Sequence, residues 1–262
     1  MLLLKTLYIA LIMPLGGFYK LLYFITIGYG LSIASIGLYL LTFSNTIKYS
    51  EIILSLLYII YGFRLSLFLF LREYKSKTYN ARVKPEVDNT KKIGLIPKII
   101  IWLSVALLYI CQTAPLTFSI ESNKKDGKCT YIGIFIFIFG LLFEIKADNE
   151  KKNMKKINPN KFVSNGLYKI VRCPNYLGEI ILWTGSFIFG LNIYNTFFQW
   201  FIAVLGYISI VYVMFGGARR IEIRQNKTYG KDKDYQEYIK KTPIMIPFIP
   251  LYSVEKYGWI RG

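Results

Sequence analysis

The chain has 262 residues, of which 54% are hydrophobic and 17% aromatic, and its formal net charge is +18. A disordered basic tail does not hold so much apolar side chain, and a soluble nucleic-acid-binding protein does not contain repeated apolar runs of about 18 residues or more. The composition therefore predicts an all-α, polytopic membrane protein that contacts membrane lipids and has no nucleic-acid partner.

Apolar runs predict about seven transmembrane helices. A short first helix covers residues 6–17, and longer runs follow at 21–43, 52–71, 94–113, 130–146, 177–194 and 197–217. We interpret the first run as a helix and not as a signal peptide, because only Lys5 precedes it and no small-residue cleavage site follows.

Basic residues concentrate on one side of these runs. Lys and Arg number 6 in residues 73–95, 7 in 147–176 and 10 in 218–262, against 4 in the opposite segments 44–51 and 114–129. Positive loops mark the cytoplasmic side, so we expect a cytoplasmic C-terminus and an external N-terminus, in a bacterial inner membrane or the endoplasmic reticulum. The same charge also suits an anionic ligand, such as a nucleotide phosphate or an acidic lipid headgroup.

Two residue counts narrow the chemistry. The chain has no histidine, which excludes Ser-His and Cys-His nucleophile pairs and histidine-ligated haem or di-iron. Its three cysteines, Cys111, Cys129 and Cys173, form no C-x-x-C pair, so we predict no metal site. A disulfide between Cys111 and Cys129 is the alternative to two small apolar fillers.

Ionisable residues inside or at the edge of the apolar runs carry much of the functional signal, because each is costly to place there. Arg64 lies deepest, eight residues before Arg72 and so about 12 Å from it along a helix. We predict a functional role for Arg64, and pairing with a buried carboxylate for packing is the alternative. The other such residues are Glu144, Lys146, Asp148, Glu179, Arg219, Arg220 and Glu222.

The densest polar cluster opens the sixth apolar run, from Asn165 to Glu179. Pro174 suits the first turn of a helix, and the free N–H groups and positive dipole end of such a turn attract an anion. Asn175 and Glu179 are four residues apart, so they share a helix face that can bind amide and hydroxyl groups. An ordinary interfacial helix start, with Tyr176 as an aromatic anchor, is the alternative.

Three segments form a longer pattern. The first reads Tyr-x-x-x-Arg-x-Pro-Asn-Tyr-x-Gly-Glu at 168–179 and is followed by Trp183. The second is 143–148, Phe-Glu-Ile-Lys-Ala-Asp, followed by Lys151 and Lys152. The third contains Arg220-Ile-Glu222, Tyr229-Gly-Lys-Asp, Tyr235-x-x-Tyr238 and Pro247-Phe-Ile-Pro250.

Together these segments resemble the C-terminal signature of the steroid 5-alpha-reductase family, with its bacterial relatives and the related sterol reductases. The match covers about residues 140–250, and a weaker similarity lies at Tyr61-Gly-Phe-Arg64. One departure is clear, because the relatives usually read Arg-His-Pro where this chain reads Arg172-Cys173-Pro174. A cysteine cannot replace the charge of a histidine at neutral pH.

The resemblance implies a seven-helix membrane reductase with NADPH in a cytoplasm-facing pocket. It divides the chain into N-terminal helices with a substrate cavity (1–128) and a C-terminal, cofactor-binding domain (129–262). It implies hydride transfer to a conjugated C=C bond of a lipophilic substrate, steroid-like, isoprenoid or enoyl lipid. Carried over by position, the expected cofactor-binding residues are Arg64, Asp148, Arg172, Asn175, Tyr176, Glu179, Arg220, Glu222, Tyr235 and Tyr238.

The expected catalytic residue is Tyr61. Hydride transfer to an enone develops charge on the carbonyl oxygen, which a hydrogen-bond donor must stabilise. Tyr61 lies one helical turn from Arg64, a spacing similar to that of a tyrosine in the steroid reductases. A core aromatic residue is the alternative interpretation.

Two other functions remain. A membrane methyltransferase of the isoprenylcysteine or phospholipid type shares an Arg-His-Pro-x-Tyr-x-Gly segment and would bind S-adenosylmethionine. Asn175 with Glu179 after the glycine favours the reductase. A non-enzymatic membrane protein, such as a transporter, is the third candidate, and a soluble dinucleotide-binding fold is excluded because no G-x-G-x-x-G follows a strand. No pattern in the sequence indicates an oligomeric state.

Overall fold

The computed structural model describes residues 2–43, 47–75, 80, 87–88, 90, 92–122 and 124–260, and these residues contain no β-strand. The all-α class is confirmed. The basic segment at 73–95 lies largely outside the described residues. The α-helices of the described part are α1 (Leu2–Ile12), α2 (Ile27–Phe43), α3 (Tyr49–Lys75), α4 (Leu95–Glu121), α5 (Lys128–Ile157), α6 (Pro174–Phe189), α7 (Phe197–Tyr229) and α8 (Lys233–Lys241). Short 3-10 helices occupy Met13–Phe18, Leu21–Phe24 and Gly166–Lys169.

Five helical segments are long and apolar enough to cross a membrane, among the residues the structure describes. They are Leu21–Thr42, Tyr49–Lys75, Leu95–Glu121, Lys128–Ile157 and Phe197–Tyr229. Two further predicted spans correspond to shorter apolar helices, Leu2–Phe18 and α6 with its 16 residues. At about 1.5 Å per residue, α6 is shorter than the hydrocarbon thickness of about 30 Å. The length and apolar character of these helices make the chain an integral membrane protein.

Backbone contacts divide the chain into two compact units. The first unit contains Met1–Ile134 and Ser186–Gly206, and the second contains Phe135–Gly185 and Tyr207–Gly262. The expected division of roles at residue 128 concerns function and stays a prediction. All three cysteines are free thiols, so the alternative of a disulfide between Cys111 and Cys129 is not realised.

In the first unit, α2 and α3 touch backbone to backbone. A Cβ atom added to Gly62 would lie 2.2 Å from the Gly30 carbonyl oxygen and 2.6 Å from the Ala34 nitrogen. A Cβ atom added to Gly30 would lie 2.6 Å from the Gly62 carbonyl oxygen. Helices in lipid associate by such close packing of small residues, because apolar side chains gain little by leaving hydrocarbon.

A buried carboxylate joins the start of α3 to the end of α4. Glu51 is 1% exposed, and its Oε1 accepts a hydrogen bond from Ser119 Oγ at 2.6 Å. The Lys48 ammonium lies 2.8 Å from the same oxygen, and the Lys48 backbone N–H donates to Oε2 at 3.0 Å. The charge is therefore paired and hydrogen-bonded, which is the condition for burying it. The sequence analysis did not single out Glu51, because it lies just before an apolar run.

We predict that Gly62→Ala lowers thermal stability by roughly 1–3 kcal/mol, the usual effect of extra volume in a packed interior. The measurement is thermal unfolding in detergent. Gly94→Ala is the matched control, because a Cβ atom there would meet only Pro97 Cδ at 3.9 Å. Equal shifts for the two variants would contradict the close approach of α2 and α3.

Candidate functional site

Two glycines of the second unit have a direct structural reason, which is the close contact of α5 with α6. A Cβ atom on Gly178 would lie 2.7 Å from the Glu144 backbone nitrogen. One on Gly140 would lie 2.8 Å from the Gly178 carbonyl oxygen and 2.4 Å from the Leu182 nitrogen. Only glycines allow these backbones to meet, and their contact brings the buried side chain of Glu144 to the first turns of α6.

The next contact is between α6 and α7. The Tyr176 ring lies against Gly217, where an added Cβ atom would be 2.9 Å from Tyr176 Cε2. Further along both helices, the hydroxyls of Thr184 and Tyr207 are 3.0 Å apart and hydrogen-bonded. The Gly217 surface thus positions Tyr176, one of the expected cofactor-binding residues, beside the α7 backbone.

An ion pair between Arg172 and Glu222 lies at the centre of the second unit. The two residues are 3% and 2% exposed, and Arg172 Nη2 lies 2.9 Å from Glu222 Oε1. Nη2 also donates to the Tyr252 carbonyl oxygen. The other carboxylate oxygen of Glu222 accepts from the backbone N–H groups of Val254 and Glu255, at 2.8 and 2.9 Å. The pair therefore fastens the C-terminal segment 252–255 to α7.

The backbone at Arg172 and Cys173 is held by a second segment, Pro243 and Ile244, which directly follows α8. The Arg172 N–H donates to the Pro243 carbonyl oxygen at 2.9 Å, and the Cys173 N–H donates to the Ile244 carbonyl oxygen at 3.0 Å. This pairing fixes the two residues that precede α6. Two nitrogens of Arg172, Nε and Nη1, are buried and form no hydrogen bond of good geometry with the described residues. A buried guanidinium with unused N–H groups can accept an anionic oxygen atom, such as one from a phosphate.

Cys173 is buried, and burial raises the pKa of its thiol to about 11. The thiol is therefore neutral at physiological pH, since its pKa lies far above 7. The structure shows a small, neutral, buried side chain at the position where the relatives usually have histidine. The Cys173 side chain therefore does not supply the positive charge that a histidine could carry at this position.

The two tyrosines of Tyr-x-x-Tyr pack on Phe162, whose ring centroid is 5.2 Å from that of Tyr235 and 5.4 Å from that of Tyr238. Tyr235 donates a hydrogen bond to Asn226 Oδ1 at 2.7 Å, and Tyr238 donates to the Tyr168 carbonyl oxygen at 2.7 Å. Burial raises the pKa of Tyr235 to about 12 and that of Tyr238 above its usual range. Both hydroxyls stay protonated, and they attach α8 to its neighbours.

A glycine in the left-handed region shapes the turn before α6. Gly166 has φ +62°, and a Cβ atom there would lie 2.3 Å from Glu150 Oε2. That carboxylate accepts the Leu167 N–H at 2.7 Å. Glu150 is a residue that the sequence analysis missed, and its only signal was an acidic residue among the lysines at the end of α5.

The expected site residues fall in both units. The second unit contains nine of the ten expected cofactor-binding residues. Arg172, Glu179, Glu222 and Tyr235 are buried, Asp148, Asn175, Tyr176 and Tyr238 are partly exposed, and Arg220 is exposed. Eight of these nine residues lie on helices α5 to α8, and Arg172 lies two residues before α6.

Tyr61 and Arg64 belong to the first unit. Tyr61 is fully buried, and its hydroxyl donates to the Tyr29 hydroxyl at 3.1 Å, with the two rings edge to face. Arg64 is partly exposed, one turn further along α3. Both stand where the sequence predicted, on one long helix, and their roles stay predictions.

A protein-family model described as "Protein of unknown function (DUF1295)" matches residues 18–242. The chain belongs to the DUF1295 family. It is 26% identical over 120 residues to steroid 5-alpha-reductase DET2 of Gossypium hirsutum, across 45% of this chain and 41% of that relative. It is 34% identical over 71 residues to steroid 5-alpha-reductase DET2 of Arabidopsis thaliana, across 25% of this chain and 27% of the relative. The resemblance to the steroid 5-alpha-reductases is confirmed.

Another relative of this DUF1295 chain carries a different name. The chain is 33% identical over 107 residues to the probable O-methyltransferase ustE of Ustilaginoidea virens, across 36% of each protein. The matched part is less than half of the length of each of these three relatives. No solved structure matches the chain.

We predict that Glu222→Gln destabilises the protein by on the order of 3 kcal/mol, because it leaves the buried Arg172 charge without its partner. Proteolysis should then cut the segment after residue 242 in the folded protein. Thermal unfolding and limited proteolysis measure the two effects. Glu237→Gln is the control, since Glu237 pairs with Lys241 at 3.4 Å on the exposed face of α8 and such pairs contribute little. An unchanged Tm for Glu222→Gln would contradict the fastening role.

Proposed function

We propose that this chain is an NADPH-dependent membrane reductase that adds hydrogen across a conjugated C=C bond of a lipophilic substrate. The similarity to two plant steroid 5-alpha-reductases supports a reductase, and the long apolar helices support a substrate that enters from lipid. The observation that carries the proposal is the buried Arg172 guanidinium just before α6, with two nitrogens that form no hydrogen bond of good geometry with the described residues, although Tyr235 lies close to the guanidinium.

The residues of the second unit fit a dinucleotide phosphate. Unused N–H groups of Arg172 suit an anionic oxygen, and the N-terminus of α6 adds backbone N–H groups and a positive dipole end. Exposed Arg220 suits a more peripheral phosphate, for which a guanidinium is well shaped. We propose these contacts for NADPH.

Asn175 and Glu179 would bind the uncharged parts of the cofactor. They occupy one face of α6, where an amide both donates and accepts and a carboxylate accepts from hydroxyls or amides. Glu179 is 6% exposed, so a hydrogen bond to it would be shielded from water. In the same proposal, Asp148, Tyr176, Glu222, Tyr235 and Tyr238 shape this cofactor site.

The chemistry requires a donor for the substrate oxygen. NADPH, when bound, supplies a hydride to the β-carbon of the polarised C=C–C=O group. In our proposal Tyr61 donates a hydrogen bond to the carbonyl oxygen as it gains charge, and a proton from water completes the saturated product. The buried surroundings of Tyr61 exclude water from that hydrogen bond.

We further propose seven membrane spans, with the N-terminus outside and the C-terminus in the cytoplasm. Leu2–Phe18 and α6 would be the two short spans in addition to the five long ones. The excess of Lys and Arg at 147–176 and 218–262 supports this orientation. In this orientation the start of α6 faces the cytoplasm, from which NADPH would bind. The membrane would be a bacterial inner membrane or the endoplasmic reticulum.

A methyltransferase that binds S-adenosylmethionine is the second candidate, and the similarity to a probable O-methyltransferase favours it. The same face of α6 could then bind the amino-acid part of that cofactor. The two proposals differ in the ligand that stabilises the folded protein, so one experiment separates them.

That experiment is thermal unfolding of the purified protein in detergent, with NADPH, NADH or S-adenosylmethionine. A ligand at a hundredfold excess over its Kd adds about 2.7 kcal/mol of stability. We expect a shift with NADPH. A shift with S-adenosylmethionine alone would replace the reductase by the methyltransferase, and no shift with any ligand would remove both.

We predict that Asn175→Ala and Glu179→Gln each weaken NADPH binding at least tenfold without unfolding the protein, because each removes a hydrogen-bonding group from the proposed face. Titration of the thermal shift gives the affinities. Glu237→Gln on α8 makes the same chemical change as Glu179→Gln at an exposed position, and should leave the affinity unchanged. Unaltered affinity in both site variants would contradict the assignment.

We predict that Tyr61→Phe lowers turnover of an enone substrate at least tenfold and leaves NADPH affinity within about twofold, because a lost transition-state donor costs about 10²–10³ in rate in other enzymes. NADPH oxidation measures turnover. Tyr29→Phe is the control, since it removes the hydroxyl that Tyr61 contacts but keeps that of Tyr61. Wild-type turnover in Tyr61→Phe would exclude the donor role.

A further inference from the structure

One side chain of the first unit stands apart from the other buried polar groups of α4. Gln112 is 3% exposed, and neither its amide oxygen nor its amide nitrogen has a hydrogen-bond partner among the described residues. The other buried polar side chains of this stretch are satisfied. Thr113 donates to the Tyr109 carbonyl oxygen at 2.9 Å, Thr117 donates to the Thr113 carbonyl oxygen at 3.3 Å, and Ser119 donates to Glu51.

An amide in this position is costly for packing alone. A buried donor or acceptor without a partner loses its hydration and gains nothing in return. In a helix that crosses lipid, water from outside cannot compensate for the loss. Leucine or methionine would fill about the same volume without that cost, so Gln112 is suited to a partner that the chain itself does not provide.

A second such group lies on α3. Ser55 is fully buried, and its hydroxyl also has no hydrogen-bond partner within the described part of the chain. About one turn away on either side, Glu51 and Tyr58 are satisfied by Ser119 and by Ser186, with Tyr58 Oη 2.5 Å from Ser186 Oγ. Gln112 and Ser55 are therefore buried groups without partners on two helices of one unit, and the Ser50 hydroxyl at the start of α3 is a third such group among the described residues.

The register of α3 and α4 puts these groups at similar heights. At one end, Glu51 of α3 contacts Ser119 of α4. At the other end, both helices contact Tyr29. The Tyr61 hydroxyl lies 3.1 Å from the Tyr29 hydroxyl, and the Tyr109 ring centroid lies 5.1 Å from that of Tyr29. On each helix these contacts are ten residue steps apart, about 15 Å, so the helices run antiparallel over this length. Tyr58 is seven residues from Glu51 on α3, and Gln112 is seven residues from Ser119 on α4. Tyr58 and Gln112 are therefore at the same level along the two helices, and Ser55 is about one turn from that level.

The side chains of α3 and α4 between these two contacts carry no charge. Residues 52–60 and 110–118 contain no Asp, Glu, Lys or Arg, so a charged ligand group would be buried without a counter-ion there. The Gln112 amide nitrogen and the Ser55 hydroxyl are both donors, and a carbonyl oxygen has two lone pairs to accept them. Most of the other side chains in these two stretches are Leu, Ile, Ala, Cys, Pro or aromatic residues, which suit hydrocarbon, and the hydroxyls of Thr113 and Thr117 are satisfied by the helix backbone.

We propose that Gln112 and Ser55 bind the carbonyl oxygen of a lipophilic substrate inside the first unit. This deepens the proposed function, on which it rests for the identity of the carbonyl as part of an enone. Gln112 and Ser55 bind the oxygen of the substrate, and the hydrogen bond from Tyr61 is added when hydride transfer gives that oxygen a third lone pair. Gln112 is then a specificity-determining residue, because a site built to donate hydrogen bonds discriminates against a ligand that lacks the acceptor.

The test compares ligand pairs on the purified protein in detergent, by quenching of tryptophan fluorescence. The probes are cholest-4-en-3-one and the isoprenoid enal citral, each paired with a hydrocarbon counterpart that lacks the oxygen, cholest-4-ene and myrcene. The variants are Gln112→Leu and Ser55→Ala. Thr113→Val is the matched control, since it removes a neighbouring buried hydroxyl that the helix backbone already satisfies.

We expect Gln112→Leu to weaken binding of at least one carbonyl probe tenfold or more, Ser55→Ala to weaken it three- to tenfold, and neither to change the hydrocarbon affinity. Both variants should keep or raise the Tm. Unchanged carbonyl affinity in both variants would overturn the proposal, as would a lower Tm in Gln112→Leu, or failure of the unmodified protein to bind either carbonyl probe.

The NADPH thermal shift, recorded on the same samples, separates this inference from the proposed function. A carbonyl effect of Gln112→Leu in a protein that NADPH does not stabilise would support the site and remove the reductase. A normal NADPH shift with no carbonyl effect would remove the site and keep the reductase.

Discussion

Hydrocarbon offers a polar group no hydrogen bond, and this constraint decides most of what the chain does with its polar residues. It makes the described chain helical, because a helix satisfies its own backbone. It also requires each buried polar or charged side chain to have a hydrogen-bond partner within the protein. Glu51 has Lys48 and Ser119, and Glu222 has Arg172 and two backbone N–H groups. Gln112 and Ser55 depart from this rule, which is why they point to a ligand.

The second consequence of an apolar environment concerns how helices meet. Side-chain burial alone drives helices together weakly in lipid, so close backbone packing matters more. Gly30 with Gly62 does this in the first unit, and Gly140 with Gly178 does it in the second. Gly178 belongs to the motif at 168–179, so part of that motif is explained by packing and not by chemistry. The same motif positions Asn175 and Glu179, because the helix that carries them is fixed by its glycine.

Arg172 and Glu222 show how one residue can serve two purposes. The resemblance assigns both to a cofactor site, and the structure shows that both also fasten the C-terminal segment. The two roles are compatible, because fastening uses Nη2 of Arg172 and leaves Nε and Nη1 without good hydrogen bonds in the described chain. A cofactor contact there would be held rigidly, since the guanidinium is already oriented by Glu222.

The sequence by itself determined the all-α membrane class, the long apolar helices and the family. Apolar runs are a one-dimensional signal, and motif residues 168–179 are close in the chain. It also determined that α6 begins at Pro174, because proline fixes the first turn. The tertiary structure decided what each polar residue contacts. The Arg172–Glu222 pair contacts Tyr252, Val254 and Glu255, which are up to 80 residues away in the sequence. Glu51 contacts Ser119, which is 68 residues away. No local pattern in the sequence encodes such long-range contacts. The lack of a partner at Gln112 is visible only when the neighbouring helices are in place, because it depends on what every nearby residue already bonds.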